Sequence, residues 1–202
     1  RDAQARGARL VAIDPVRTRT AERADQWLAV HPGTDAALAL GLIHALFRDG
    51  RVDEAYLQRA AVGRDRLERE ARERWSVERA SAVCGVSAAD IEALAARLAA
   101  DPRVCIRLNY GLQRHAGGGA AVRAIVALAT VLGAWQHPGC GALLSTSGAF
   151  PKDGDRLARP DLMPAPRPRT VNMSQLGAAL DPTVTSDPPV DALFVYASNP
   201  AA

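Results

Sequence analysis

The apolar run Leu10-Val11-Ala12-Ile13, followed at once by Asp14-Pro15-Val16-Arg17-Thr18, constrains this chain more than any other stretch. A short apolar segment with Gly7 before it and Asp14-Pro15 behind it suits a parallel strand covered on both faces, because such strands need no polar alternation. On that reading Ile13 is covered, and an aspartate in its place would abolish folding by burying an unpaired carboxylate. Ligands meet parallel sheets outside the carboxyl ends of their strands, so the polar residues from Asp14 to Thr18 are expected at a binding edge.

The rest of the chain repeats the alternation of extended and helical pieces. Ala24 to Val30 reads as a second extended piece. Pro32-Gly33-Thr34-Asp35 then opens a helix, capped by Thr34 or Asp35, in which Ala37, Leu38, Leu42, Ala45 and Leu46 recur at helical spacing. Gly50 ends it, and Val52 to Arg59 forms another short helix. Residues 64–83 carry opposite charges three and four apart, the pattern of a solvated helix face. Ser87 caps a helix reaching Ala100, with Asp90 completing a capping-box-like pair and Ile91, Leu94, Ala95 and Leu98 facing inward.

Asp101-Pro102 stops that helix, and Val104 to Leu108 is the next strand. It runs into Asn109-Tyr110-Gly111-Leu112-Gln113-Arg114-His115, then Gly117-Gly118-Gly119, then an apolar helix from Ala120 to Leu132. Strand, polar loop, glycine cluster and helix make a second ligand-facing crossover, with His115 read as a structural loop residue. From Gly133 to about Pro189 the composition turns to Pro, Gly, Ser and Asp, with one short helix at Ser174 to Leu180. Loops that long are functional or docked on a neighbour. Ala192 to Tyr196 closes with a third strand, ending in Ser198-Asn199-Pro200.

The fold class expected is therefore α/β: a Rossmann-like three-layer parallel sheet flanked by helices. Its main body covers residues 1–133, an extended loop region covers 134–189, and a returning strand with a nucleotide loop covers 190–202. All three strand ends, and with them Asp14, Asp35, Arg114 and Asn199, are expected on one rim.

Composition narrows the function. Of 202 residues 48% are hydrophobic, enough for a real core. The 25 basic and 22 acidic residues are interspersed, with a net charge of +3, which gives no nucleic-acid footprint. Cys84, Cys105 and Cys140 form neither a disulfide framework nor a cluster motif, and His137 with Cys140 lacks the further ligands zinc needs. No apolar stretch approaches the roughly 20 residues of a membrane span. G-x-G-x-x-G and the P-loop pattern are both missing, so the ordinary dinucleotide and triphosphate fingerprints are unsupported. The compartment stays open between cytoplasm and periplasm.

Six stretches, in this order, resemble the molybdopterin oxidoreductase family, the bis-molybdopterin-guanine-dinucleotide enzymes related to dimethyl sulfoxide reductase, formate dehydrogenase and periplasmic nitrate reductase. They are residues 7–15, Ala24-Asp25-Gln26-Trp27-Leu28, residues 32–38, Tyr110-Gly111-Leu112-Gln113-Arg114-His115, Leu132-Gly133 with Gly139-Cys140-Gly141, and Asn199-Pro200. The resemblance implies the central dinucleotide-binding domain of a catalytic subunit, gripping the guanine dinucleotide arm of a molybdenum or tungsten cofactor for two-electron redox or oxygen-atom transfer. It places Asp14, Pro15, Arg17 and Thr18 at phosphate and ribose, Gly33, Thr34 and Asp35 at guanine, Tyr110 and Arg114 toward the pterin, and Asn199 at a second nucleotide contact. The family's usual basic residue directly after Asp-Pro is Val16 here, with Arg17 one step later.

The same resemblance implies that the metal ligand, a Cys, selenocysteine or Ser, and any iron–sulfur motif lie upstream of this stretch, which alone would be inactive. Its partners would be the remaining domains of the subunit and an iron–sulfur electron-transfer subunit, with no nucleic acid. Two alternatives stand beside it: a non-catalytic relative serving as scaffold or electron-transfer subunit, and an unrelated Rossmann-like nucleotide-binding enzyme.

Overall fold

After a single helical turn, α1 (Asp2–Ala5), the apolar run forms β1 (Val11–Ile13), which pairs in parallel with β2 (Gln26–Leu28), Val11 opposite Gln26 and Ile13 opposite Leu28. The structure, a computed structural model, describes residues 2–166, 168–184 and 188–197. Asp25 pins the start of the pair. Its carboxylate accepts the Leu10 N–H at 2.7 Å and the Gln4 side-chain amide at 3.2 Å, and Arg9 lies 3.7 Å away. The connection between the strands, residues 14–25, carries only a 3-10 turn at Ala21–Arg23.

Cover on β1 is one-sided. Ala12 is buried, but Ile13, on the opposite pleat, is 42% exposed. The expectation that Ile13 lies in a wall covered on both faces is therefore wrong, and an aspartate there would meet solvent rather than a buried wall.

The helix after Gly33 is α2 (Asp35–Arg48), and it is the centre of the body. Leu38, Leu42, Ile43, Leu46 and Phe47 are all buried on it, each burial contributing about 1.5–3 kcal/mol before chain entropy is counted. Asp53 caps α3 (Glu54–Ala60) by accepting the Tyr56 N–H at 2.8 Å. The charged stretch breaks in two, α4 (Arg64–Arg74) and α5 (Val77–Cys84), because Ser76 starts a new helix by accepting the Arg79 N–H at 3.2 Å. In α6 (Ala88–Ala100) the capping-box-like pair forms as expected: Ser87 Oγ accepts the Asp90 N–H at 3.1 Å and donates to the Asp90 carboxylate at 2.6 Å.

A second parallel pair follows, β3 (Cys105–Arg107) beside β4 (Gly141–Leu143), with α7 (Gly118–Val131) as its crossover helix. β4 lies in what sequence reads as loop. Gly141 holds it in place: its φ is +106°, and a Cβ there would stand 2.4 Å from the Trp135 ring. α2 packs against α7, α5, α6 and α4, and their facing side chains make one core. Parallel strands under helical cover are the α/β arrangement expected, with the strands divided, among the described residues, between two two-stranded sheets.

Two compact units divide the chain, Arg1–Ala149 and Phe150–Ala202. The first runs on past residue 133 because Ala134 is buried in the core and Cys140 and Ala142 pack against it. The second holds α8 (Gly154–Ala158), two 3-10 turns and α9 (Leu176–Leu180), none with a buried residue. The returning strand expected at 192–196 is absent. A strand exists only where its backbone is paired, and these residues, including Phe194 and Tyr196, are exposed and outside any sheet of the described residues. No helix among the described residues is long and apolar enough to cross a membrane.

Candidate functional site

The loop leaving β1 is shaped by Asp14. Its carboxylate accepts the Val16 N–H at 2.9 Å, an Asx turn that reverses the chain at Pro15. The Asp14 carbonyl accepts the Trp27 indole N–H at 2.8 Å, tying the loop to β2. Trp27 also carries the Arg17 guanidinium, whose centre lies 5.9 Å from the ring centroid. Arg17 has no carboxylate partner among the described residues and stays exposed. Thr18 Oγ1 accepts the Ala21 N–H at 3.3 Å, so the hydroxyl proton stays free to donate.

The second loop is the turn before α2. Thr34 occupies the cap position but does not cap: its hydroxyl donates to the His31 carbonyl at 2.7 Å and closes the turn. Gly33 takes φ +78° there, a conformation other residues rarely adopt. Asp35 begins the helix half-buried, and no side chain among the described residues donates to its carboxylate. Burial pushes the Asp35 carboxyl above its ordinary range. Its own backbone N–H and His115 pull it back, and Asp14 adds to the rise. Beneath it the fully buried Cys84 thiol is likewise pushed up, by burial first and, after backbone hydrogen bonds pull the other way, by the Asp35 charge.

The third loop follows β3. Asn109 accepts the Tyr110 N–H at 2.9 Å and starts a 3-10 turn, Tyr110–Gln113. Arg107 clamps this end of the sheet, donating to the carbonyls of Leu108, Leu143 and Leu144. Gly118 must be glycine, since a Cβ would stand 2.5 Å from the Gln113 backbone. Tyr110 turns toward β4, its hydroxyl donating to Ser145 Oγ at 2.7 Å. The Arg114 side chain is exposed and forms no ion pair among the described residues.

What the folding brings together is Asp14, Gly33, Asp35 and His115. The imidazole of His115 lies 3.6 Å from where a Cβ on Gly33 would stand, and Asp14 and His115 both act on the Asp35 charge. Of the four residues expected on one rim, Asp14 lies near enough to Asp35 for its charge to act there, while Arg114 follows β3 one residue before His115. Asn199 lies outside the described residues. Sequence reasoning missed Trp27 as the platform for Arg17, and His115, read as a structural loop residue, sets its ring against the Gly33 turn. The arrangement is a half-buried acceptor beside close-approach glycines, with exposed guanidinium groups on the two flanking loops, chemistry suited to a ligand that has both N–H donors and phosphates. No group of three metal-ligating side chains exists among the described residues.

Residues 1–184 match the family model described as molybdopterin oxidoreductase. The chain is 40% identical over 199 residues to a probable oxidoreductase, YoaE of Bacillus subtilis, covering 98% of this chain and 29% of that protein. It is 36% identical to the dimethyl sulfoxide reductase DmsA of Escherichia coli, covering 64% of this chain and 18% of DmsA. Acetylene hydratase from Pelobacter acetylenicus superposes with a TM-score of 0.62 at 29% identity, over 66% of this chain and 18% of that one. The chain thus spans less than a third of the length of these relatives.

Proposed function

This chain belongs to the molybdopterin oxidoreductase family, and from that membership we propose that it grips the guanine dinucleotide arm of a molybdopterin cofactor within a larger catalytic subunit. Membership removes the alternative of an unrelated Rossmann-like enzyme. Asp35 is the observation that carries the finer reading. A half-buried carboxylate with no side-chain donor is a group in want of N–H partners. The Watson–Crick edge of guanine presents two such donors side by side, and adenine does not.

The residues present fit the group. Gly33 and Thr34 shape the turn at guanine. Asp14 and Pro15 set the loop at the ribose, and Arg17 and Thr18 face the phosphates with a guanidinium and a hydroxyl proton to give. Tyr110 and Arg114 are assigned to the pterin side, and Asn199 to a second nucleotide contact. When bound, the group supplies the two-electron or oxygen-atom chemistry of molybdenum or tungsten, and these residues hold and orient it. The redox assignment follows relatives named oxidoreductases and reductases, although another relative is named a hydratase. An iron–sulfur cluster, if the protein uses one, and an electron-transfer subunit belong outside this segment.

Replacing Asp35 with Ala in the full-length protein tests the assignment. Loss of a charge-assisted pair is expected to lower molybdenum content and acid-released GMP about tenfold, with the circular dichroism spectrum unchanged. Undiminished molybdenum by elemental analysis removes the guanine assignment.

A further inference from the structure

We infer that the end of the first unit opposite the ligand loops is a docking surface for an acidic amphipathic segment of a partner protein. The inference stands apart from the nucleotide reading above. α2 starts at Asp35 and α7 at Gly118, both beside those loops, and each runs 14 residues, about 21 Å, before it ends. Where they end, an open groove of about 560 Å³ lies between the α2–α3 connection, the close of α6 and the close of α7, lined by Arg51, Val52, Asp53, Ala99, Pro102 and Leu132 among others.

A polar chain leads from this groove to aromatic side chains. Asp53 accepts the Gln136 side-chain amide at 2.8 Å, Gln136 accepts from Arg59 at 2.8 Å, and the Arg59 guanidinium lies 5.8 Å from the centroid of the half-buried Tyr56 ring. Trp135, next to Gln136, packs over Gly141 and is still 43% exposed. Tyr, Trp and Arg are the residues that anchor protein interfaces, and a groove walled by small apolar side chains takes an apolar anchor from the other partner. Charge selects that partner. The nearby carboxylates are engaged: Asp49 by Arg48 at 2.8 Å, Asp53 by the Tyr56 N–H and Gln136, Glu54 by Arg64 at 2.5 Å, and Asp101 by Arg103 at 2.8 Å. The Arg51 side chain forms no ion pair or hydrogen bond among the described residues, and the one hydrogen bond of Arg59 goes to a neutral amide. Two uncompensated cations beside an apolar groove match carboxylates flanking an apolar residue, the pattern on one face of an acidic amphipathic helix.

The test titrates full-length protein, by fluorescence anisotropy, with a labelled helical peptide carrying leucine at i, i+4 and i+7 and glutamate elsewhere, beside a control with lysine for every glutamate. Wild-type protein is expected to bind the glutamate peptide and not the lysine one, and to lose about tenfold in affinity between about 0.05 M and 0.5 M salt. Arg51→Glu combined with Arg59→Glu is expected to weaken binding about tenfold, and Ala96→Glu, which sets bulk and negative charge in the wall of the groove, by at least as much. All three positions are exposed, so the circular dichroism spectrum is expected to stay unchanged. No binding of the glutamate peptide, equal binding of the lysine peptide, or affinity retained in either variant overturns the inference. Self-association of the full-length protein that Ala96→Glu abolishes overturns it too, because a second copy then occupies the groove.

Discussion

Two aspartates near one another in sequence carry opposite electrostatic histories. Asp25 is held below the usual carboxylate range by the Leu10 N–H, then by Gln4 and Arg9, so its contribution to stability is present above its unfolded value and fades as pH falls through the lowered folded one. Asp35 is raised, chiefly by burial. Its penalty is absent below the unfolded value, grows as pH rises between the unfolded and folded values, and is complete at neutral pH. Asp35→Asn is therefore expected to raise the melting temperature of cofactor-free protein at neutral pH, to change nothing in strong acid, and to lower cofactor content in the loaded protein. A melting temperature that falls at neutral pH contradicts this. Stability sacrificed at a residue kept for binding is a common pattern, and the proposed guanine contact fits it. The carboxylate was legible in the sequence because Pro-Gly-Thr-Asp before an apolar helix marks a helix start. The placing of the His115 ring against Gly33 was not, since the two residues lie on loops some eighty positions apart.

At the level of elements, capping chemistry was the most readable signal. Ser87 with Asp90 forms the pair its spacing announces, and α2 begins and ends within two residues of its turn glycines, Gly33 and Gly50. The charged stretch was read as a solvated face, and that is half of it. Glu68 accepts from both Arg64 and Arg72, and Arg72 also donates to the Phe47 carbonyl at 2.7 Å, closing the end of α2. β4 escaped notice because Gly141-Ala142-Leu143 lacks a β-branched run and its partner lies a whole crossover away. Close helix packing also makes Gly41 informative: a Cβ there would stand 2.4 Å from the Ala80 Cβ on α5. Gly41→Ala gains about 1 kcal/mol of helix propensity and costs about 1–3 kcal/mol by overpacking. Net destabilisation in urea unfolding is expected, and a net gain would show that α5 moves aside freely.

Across the whole molecule the core belongs to the first unit, and the second contributes no buried residue from its helices and turns. Ending the chain after Ala149 is therefore expected to leave one cooperative thermal transition, displaced by no more than about 2 °C. Loss of cooperativity would mean that residues beyond Ala149 complete the core. The parallel pair formed by β1 and β2 has a further bearing. Strands running the same way need a long return path, usually supplied by a covering helix. Here that path is the stretch from Asp14 to Asp25, which holds the residues assigned to phosphate and ribose. Recognition and topology are written in the same dozen or so letters. On the proposed assignment, a variant cannot shorten this connection to rigidify the scaffold without losing the phosphate and ribose contacts.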